Sequence, residues 1–178
     1  MKREYLSPEA PMLRQIASEV EIFGTPELDE LIEDMFDTMR DGGGVGLAAP
    51  QIGVSRRVII LEFRGGERAP DSPAIPPTVL INPIITHREG TCADWEGCLS
   101  LPGLRGLVSR ATEIEYVARG PNGEQLGGKA EGFHARIIQH EIDHLDGILY
   151  TDITNRIVPY ERPALAGSAR ARRAQSDN

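Results

Sequence analysis

The segment Gln139-His140-Glu141-Ile142-Asp143-His144 constrains this chain more than any other. It carries two histidines four residues apart, and on an α-helix side chains at that spacing lie one above the other. Phe133 and Ile137 fall on the same stripe, so the histidine face of a helix over 131–145 points inward. Two imidazoles buried together are costly unless something satisfies them. A divalent cation would do so. Neutral imidazoles hold it, and Glu141, rotated roughly 100° from His140, can take the proton of a water that the cation acidifies. The competing reading is an amphipathic helix that merely happens to carry two histidines. The chain has only four histidines, and two of them flank this one glutamate, which favours the metal.

Two imidazoles leave a third ligand to find. A metzincin-type site needs a histidine six residues after His144, and Tyr150 stands there although Gly147 occupies the plus-three position. A downstream carboxylate would have to be Glu161, beside Arg162-Pro163 and outside any clear helix. Upstream, Trp95-Glu96-Gly97-Cys98-Leu99-Ser100-Leu101-Pro102-Gly103 reads as a compact, turn-rich stretch with a thiol at its centre. As a thiolate, Cys98 completes a His2Cys set with one position open, the pattern of a catalytic centre. As a thiol it reads equally well as a buried packing residue. Cys92 lacks that context and is read as packing only.

Elsewhere the periodicities are plain. Thr25-Pro26-Glu27 is a helix start, with Thr25 as N-cap and Pro26 in the first helical position. Leu28, Leu31, Ile32, Met35 and Met39 then recur at helical spacing, with Asp29, Glu30, Glu33, Asp34 and Asp37 on a solvated face, until Gly42-Gly43-Gly44 stops the helix. Val58–Leu61 and Thr78–Ile81 read as strands, the second stopped near Pro83, with a Gly/Pro-rich surface loop over Gly65–Pro77 between them. Thr112–Ala118, the turn Pro121-Asn122-Gly123 and Glu124–Leu126 form a hairpin. Helix, hairpin-linked strands and helix predict an α+β fold with mostly antiparallel sheet.

Gly44-Val45-Gly46-Leu47-Ala48-Ala49 superficially matches a dinucleotide fingerprint, but a helix precedes it and Pro50 closes it, so a Rossmann turn is rejected. It reads better as backbone kept free of side chains, able to pair with an extended peptide, with Gln51 aimed at the site behind it.

Composition narrows the class further. The 178 residues carry 19 Lys+Arg against 27 Asp+Glu, a net charge of −8, which speaks against nonspecific binding to DNA. Residues 1–163 are expected to form one domain and 164–178 a disordered tail, whose Arg170, Arg172 and Arg173 are a small basic cluster. No run of apolar residues suits a membrane span, and Met1–Pro8 is neither a secretory signal nor long enough for a transit peptide. Two cysteines build no disulfide framework, and without an export signal the expected setting is a reducing cytoplasm; the missing transit peptide favours a bacterium.

Taken together, Gly44-Val45-Gly46-Leu47-Ala48-Ala49-Pro50-Gln51-Ile52-Gly53, Glu96-Gly97-Cys98-Leu99-Ser100-Leu101-Pro102-Gly103 and Gln139-His140-Glu141-Ile142-Asp143-His144-Leu145-Asp146-Gly147 resemble the three signature motifs of the peptide deformylase family, in order. The resemblance runs from about Pro11 to about Asp152. It implies antiparallel sheets around the motif-bearing helix, and removal of the formyl group from the initiator formylmethionine of nascent polypeptides, with release of formate. It implies Cys98, His140 and His144 as metal ligands, Glu141 as general base and acid, and Gln51 with the Leu99 N–H as oxyanion donors. Backbone at Val45, Gly46 and Gly97 would pair with the substrate. The ion implied is Fe2+, replaceable by Zn2+ or Ni2+, and the partners are formylmethionyl peptides and, transiently, the ribosome. Phe133 and Ile137, on the stripe leading to His140, are candidates for the methionine slot. The chain departs from the family at Tyr150, where many members have Phe, and at Ile153, where an arginine and its local salt bridge are common. A peptidase cutting within chains, or a peptide-binding module without chemistry, are the competing readings; the first predicts a third ligand other than Cys98.

Overall fold

The computed structural model describes residues 1–66 and 69–161. A 3₁₀ turn at Pro11–Arg14 precedes helix α1 (Pro26–Asp41), whose N-cap Thr25 accepts a hydrogen bond from the Leu28 N–H at 3.2 Å. Strand β1 (Gly46–Ala48), a 3₁₀ turn at Ala49–Ile52, β2 (Val58–Phe63) and the long β3 (Ile75–Glu89) follow. Then come β4 (Cys92–Cys98), β5 (Leu101–Arg110), β6 (Glu113–Arg119), β7 (Gln125–Glu131), α2 (Gly132–Leu145), the single turn α3 (Tyr150–Ile153) and β8 (Ile157–Pro159). The strands form one five-stranded sheet in the order β1-β2-β3-β6-β7 and one three-stranded sheet in the order β4-β5-β8, and each named pair is antiparallel.

Strand β2 explains how the layers stack. Its residues alternate between faces, and both faces are covered. Ile59 and Leu61 pack in one cluster with Ala135, Ile137, Ile138, Ile142 and Leu145 of α2. Val58 and Ile60 join a second cluster with Leu31, Met35 and Met39 of α1. A strand buried on both sides is continuously apolar, which is why Val58-Ile59-Ile60-Leu61 is so easily read. Helix α2 is thereby held against the sheet, and its C-terminal carbonyl end is met by Arg57, which donates to Leu145 O at 3.3 Å and to Asp146 Oδ1 at 2.7 Å.

Four local expectations are corrected. The stretch around Cys98 is a strand pair rather than a turn-rich loop: β4 and β5 run antiparallel, with the register slipping between Glu96 and Cys98 before the hairpin closes at Cys98 and Leu101. Strand β3 begins at Ile75 and does not stop near Pro83. Its pairing with β6 breaks between Ile81 and Ile84, where Asn82 takes a positive φ of 49°, and a proline without an N–H fits such an irregularity. Asp34 is not on a solvated face; it is buried and accepts from Arg3 Nε at 2.7 Å. Cys92 is exposed rather than packed inside. At the departure from the family pattern, Ile153 is exposed and the neighbouring Asp152 pairs with Arg14 instead. The tail, 164–178, with Arg170, Arg172 and Arg173, lies outside the described residues.

Candidate metal centre

The H-E-x-x-H turn lies in the last two turns of α2, and both histidine rings are buried. Cys98, at the end of β4, reaches the same place from the other sheet. Donor atoms of Cys98, His140 and His144 all lie within 4.8 Å of one another, with Cys98 Sγ 3.3 Å from His144 Nε2. A first-row divalent ion bonded to sulfur and nitrogen at about 2.0–2.3 Å holds its ligand atoms at about this spacing. A soft thiolate with two imidazoles suits zinc, iron or nickel far better than magnesium or calcium. The donor set fits such an ion.

Electrostatics point the same way. Burial lowers the affinity of both rings for a proton, and it holds His144 neutral, well below the ordinary imidazole value. His140 feels the same burial, but its bonds to Cys98 and Glu96 and the nearby charge of Glu141 carry it above the ordinary value. The anionic surroundings that draw a proton to His140 equally favour a metal cation there. His140 Nδ1 lies 2.9 Å from Glu96 Oε2. A carboxylate only accepts, so Nδ1 donates and Nε2 is the nitrogen left for a metal.

Glu141 is buried beside this cluster, and Oε2 has no hydrogen-bond partner among the described residues. Burial pushes its carboxyl up to about 7, the range suited to exchanging protons at neutral pH. Gly46 of β1 faces it closely: a Cβ built at Gly46 would stand 2.4 Å from Glu141 Oε1 and 2.8 Å from Ile137 Cγ2. Gln51 is also buried. Its Oε1 accepts from the Ala48 N–H at 2.8 Å, which fixes the amide so that Nε2 points at Cys98 Sγ and Ser100 Oγ, each 3.3 Å away.

The other expected residues distribute around this centre. Leu99 lays its side chain across Gly42 and Gly44, where added Cβ atoms would meet it at 3.1 and 2.7 Å. Gly97 sits in β4 one residue before Cys98. The Val45 carbonyl accepts from the Glu62 N–H at 3.0 Å and so belongs to the sheet ladder, whereas Gly46 is the next residue along the edge strand. Ile137 is buried against the Gly46 side of the site, and Phe133 is half-buried, packed edge-on against Phe63 at 5.1 Å.

Sequence reading did not single out the ring of charge behind the centre. Glu96 accepts from Arg110 at 2.9 and 3.0 Å and from Arg136 at 2.8 Å, and Arg110 also pairs with Asp143. Burial opposes ionisation of Glu96, but its bonds from His140 and Arg110 and their charge hold it ionised, well below the ordinary carboxylate range. The usable signal was an acid two residues before the cysteine and arginines at buried positions of amphipathic elements.

A family model described as polypeptide deformylase matches residues 3–159. Peptide deformylase 2 of Bordetella bronchiseptica is 54% identical over 141 residues, 79% of this chain and 80% of that protein. Peptide deformylase 2 of Ralstonia nicotianae is 55% identical over 139 residues, 78% of each. Among solved structures, a class I type b peptide deformylase from Acinetobacter baumannii with Met-Ala-Ser bound superposes with a TM-score of 0.84 at 37% identity, covering 86% of this chain and 99% of that one. The peptide deformylase of Thermotoga maritima gives 0.78 at 34% identity, covering 87% and 99%.

Proposed function

Because the chain belongs to the polypeptide deformylase family, we propose that it hydrolyses the N-formyl amide of formylmethionyl nascent peptides and releases formate. The observation that carries this reading is the convergence of Cys98, His140 and His144 within 4.8 Å, with a buried glutamate beside them. These three residues would hold one divalent ion, Fe2+ in the cell with Zn2+ or Ni2+ as replacements. When bound, the ion supplies Lewis acidity toward the formyl oxygen and acidifies a water.

The protein's own groups supply the rest. Glu141 takes a proton from the attacking water and later returns it to the departing methionyl amine, so that the formyl C–N bond breaks to formate and a free N-terminus. Gln51 Nε2 and the Leu99 N–H donate to the oxygen that becomes negative in the transition state, and one such donor is worth about 2.7–4 kcal/mol. The Ala48 N–H holds Gln51 in that orientation at 2.8 Å. Gly46 and Gly97, on strands from the two different sheets, and the backbone of Val45 would flank an extended peptide and pair with its main chain. Met-Ala-Ser in the Acinetobacter baumannii relative is the kind of peptide this reaction leaves.

Residues 1–163 would act as one catalytic domain that meets its substrate at the ribosome transiently. No partnership with DNA or a membrane is proposed: the net charge is −8, and no helix among the described residues is long and apolar enough to cross a membrane. The Bordetella bronchiseptica and Ralstonia nicotianae relatives are bacterial, which supports action in a bacterial cytoplasm.

The deciding assay is formate release from formyl-Met-Ala-Ser by Fe2+-loaded protein under anaerobic conditions. Stoichiometric formate is expected, and none from the same protein would end the proposal. Two further outcomes follow. Loading with Zn2+ at a thousandfold excess over its Kd should stabilise the fold by about 4 kcal/mol, on the order of 10 °C in Tm, and a chelator should reverse it; a Tm indifferent to both contradicts the metal site. Ile137→Trp should raise KM for formylmethionyl peptides more than it lowers kcat, and unchanged kinetics would remove Ile137 from the methionine slot.

A further inference from the structure

The proposed centre is assembled from two separate pieces of the fold. Its imidazoles ride on α2, whereas its thiolate ends β4 in the three-stranded sheet. A metal site of this kind needs its ligand atoms placed within a few tenths of an ångström, so something must set the strand against the helix.

Arg136 is placed to do this. It lies on α2 one turn before His140 and is buried. Its Nη1 donates to Glu96 Oε1 at 2.8 Å and to Val108 O at 2.9 Å, and its Nη2 donates to Cys92 O at 2.7 Å. One guanidinium thus grips the first residue of β4, the side chain two residues before Cys98, and the neighbouring strand β5. The same Glu96 holds His140 Nδ1 from its other oxygen. The register of β4 slips between Glu96 and Cys98, so the ladder to β5 is interrupted immediately before the residue that carries the thiol. Arg110 also links Glu96 to α2, through the side chain of Asp143, but the main-chain carbonyls of Cys92 and Val108 are held by Arg136.

We propose that Arg136 is a positioning residue for the metal site, a clamp that fixes the Cys98-bearing strand and the Glu96–His140 pair against the helix carrying both histidines. The inference rests on the deformylase reading for the existence of the site, and not on any of the three family motifs, which Arg136 lies outside. Its planar fork makes three bonds to acceptors in different directions, which a lysine ammonium on a flexible stem cannot reproduce.

The test uses the full chain with Zn2+ and Co2+ as probes. Arg136→Met keeps the length and removes every bond. It should raise the Kd for Zn2+, measured by chelator competition, about 10–100-fold. It should also shift or weaken the sulfur-to-Co2+ charge-transfer band, because Cys98 is no longer held. A residue that only packs would lower Tm and leave both readouts alone. If Arg136→Met does not fold, Arg136→Lys decides: a several-fold rise in Kd supports the clamp, and a Kd and Co2+ spectrum equal to wild type overturn it. Wild-type protein that binds Zn2+ tightly but releases no formate would defeat the deformylase reading separately, while the Zn2+ comparison still judges Arg136.

Discussion

Glu141→Ala should lower kcat/KM for formyl-Met-Ala-Ser by about 10²–10⁴-fold, the usual contribution of a positioned acid–base group, while metal content stays close to wild type. The separation follows from where the residue sits. His140 and His144 share one face of α2, and Glu141 is rotated about 100° from the first of them, so its removal takes no ligand away. Its Oε2 is buried without a partner among the described residues, and its carboxyl is pushed up to about 7 by that burial. A group held in this state contributes little to folding, because an ionised carboxylate in an apolar setting is itself costly. Alanine should therefore leave Tm near wild type or slightly above it. Glu141→Gln, which keeps the volume but not the basicity, should lose as much activity as the alanine variant. Formate release by either variant at the wild-type rate, with element analysis showing full metal, would mean that another group moves the proton.

The parts of this fold that the sequence reveals are those built on apolar repetition. Leu28 to Met39 repeat at helical spacing, the β2 run is apolar on both faces, and Pro121-Asn122-Gly123 marks its turn with Gly123 at a φ of 81°. The parts that stay hidden are those where polar groups face inward. In β4 the buried side chains are Glu96 and Cys98 while Ala93 and Trp95 are exposed, which inverts the usual alternation there, and β5 buries Arg110 along with Leu101 and Val108, so the strand pair reads as a loop. Asp34 in α1 is misread for the same reason, since its partner Arg3 lies 31 residues away in sequence. The site shows the same division. Motif spacing places two imidazoles and a carboxylate on one helix, the residues themselves leave Cys98 and Gln51 as candidates, and family resemblance gives those two their roles. The charges behind them are invisible, because Glu96 meets Arg110, Arg136 and His140 across separations of 14, 40 and 44 residues. No local pattern encodes a contact of that range.

Gly46→Ala should cost about 1–3 kcal/mol of stability, as overpacking does, and about 10²-fold in kcat, the scale of a catalytic group displaced by an ångström. The backbone at Gly46 is not in the left-handed region, so the conflict is one of space alone. The new methyl would stand 2.4 Å from Glu141 Oε1 and 2.9 Å from its Cδ, and 2.8 Å from Ile137 Cγ2. Neither neighbour can retreat freely. Both are buried on α2, and that helix is held by the core on one side and by the Glu96 network on the other. The softest coordinate is rotation of the Glu141 carboxylate away from the strand, which would move the proposed proton acceptor and leave Cys98, His140 and His144 in place. A Cβ on a strand projects out of the sheet plane, across the direction in which an edge pairs with a peptide. KM should thus change much less than kcat. Gly53→Ala is the contrasting case, with nothing within 4 Å of the added atom and only a φ of 81° to resist it, so it should cost stability with kcat unaltered. If Gly46→Ala instead raised KM alone, the glycine would serve the peptide track, and the close approach of β1 to Glu141 would not be what sets the rate.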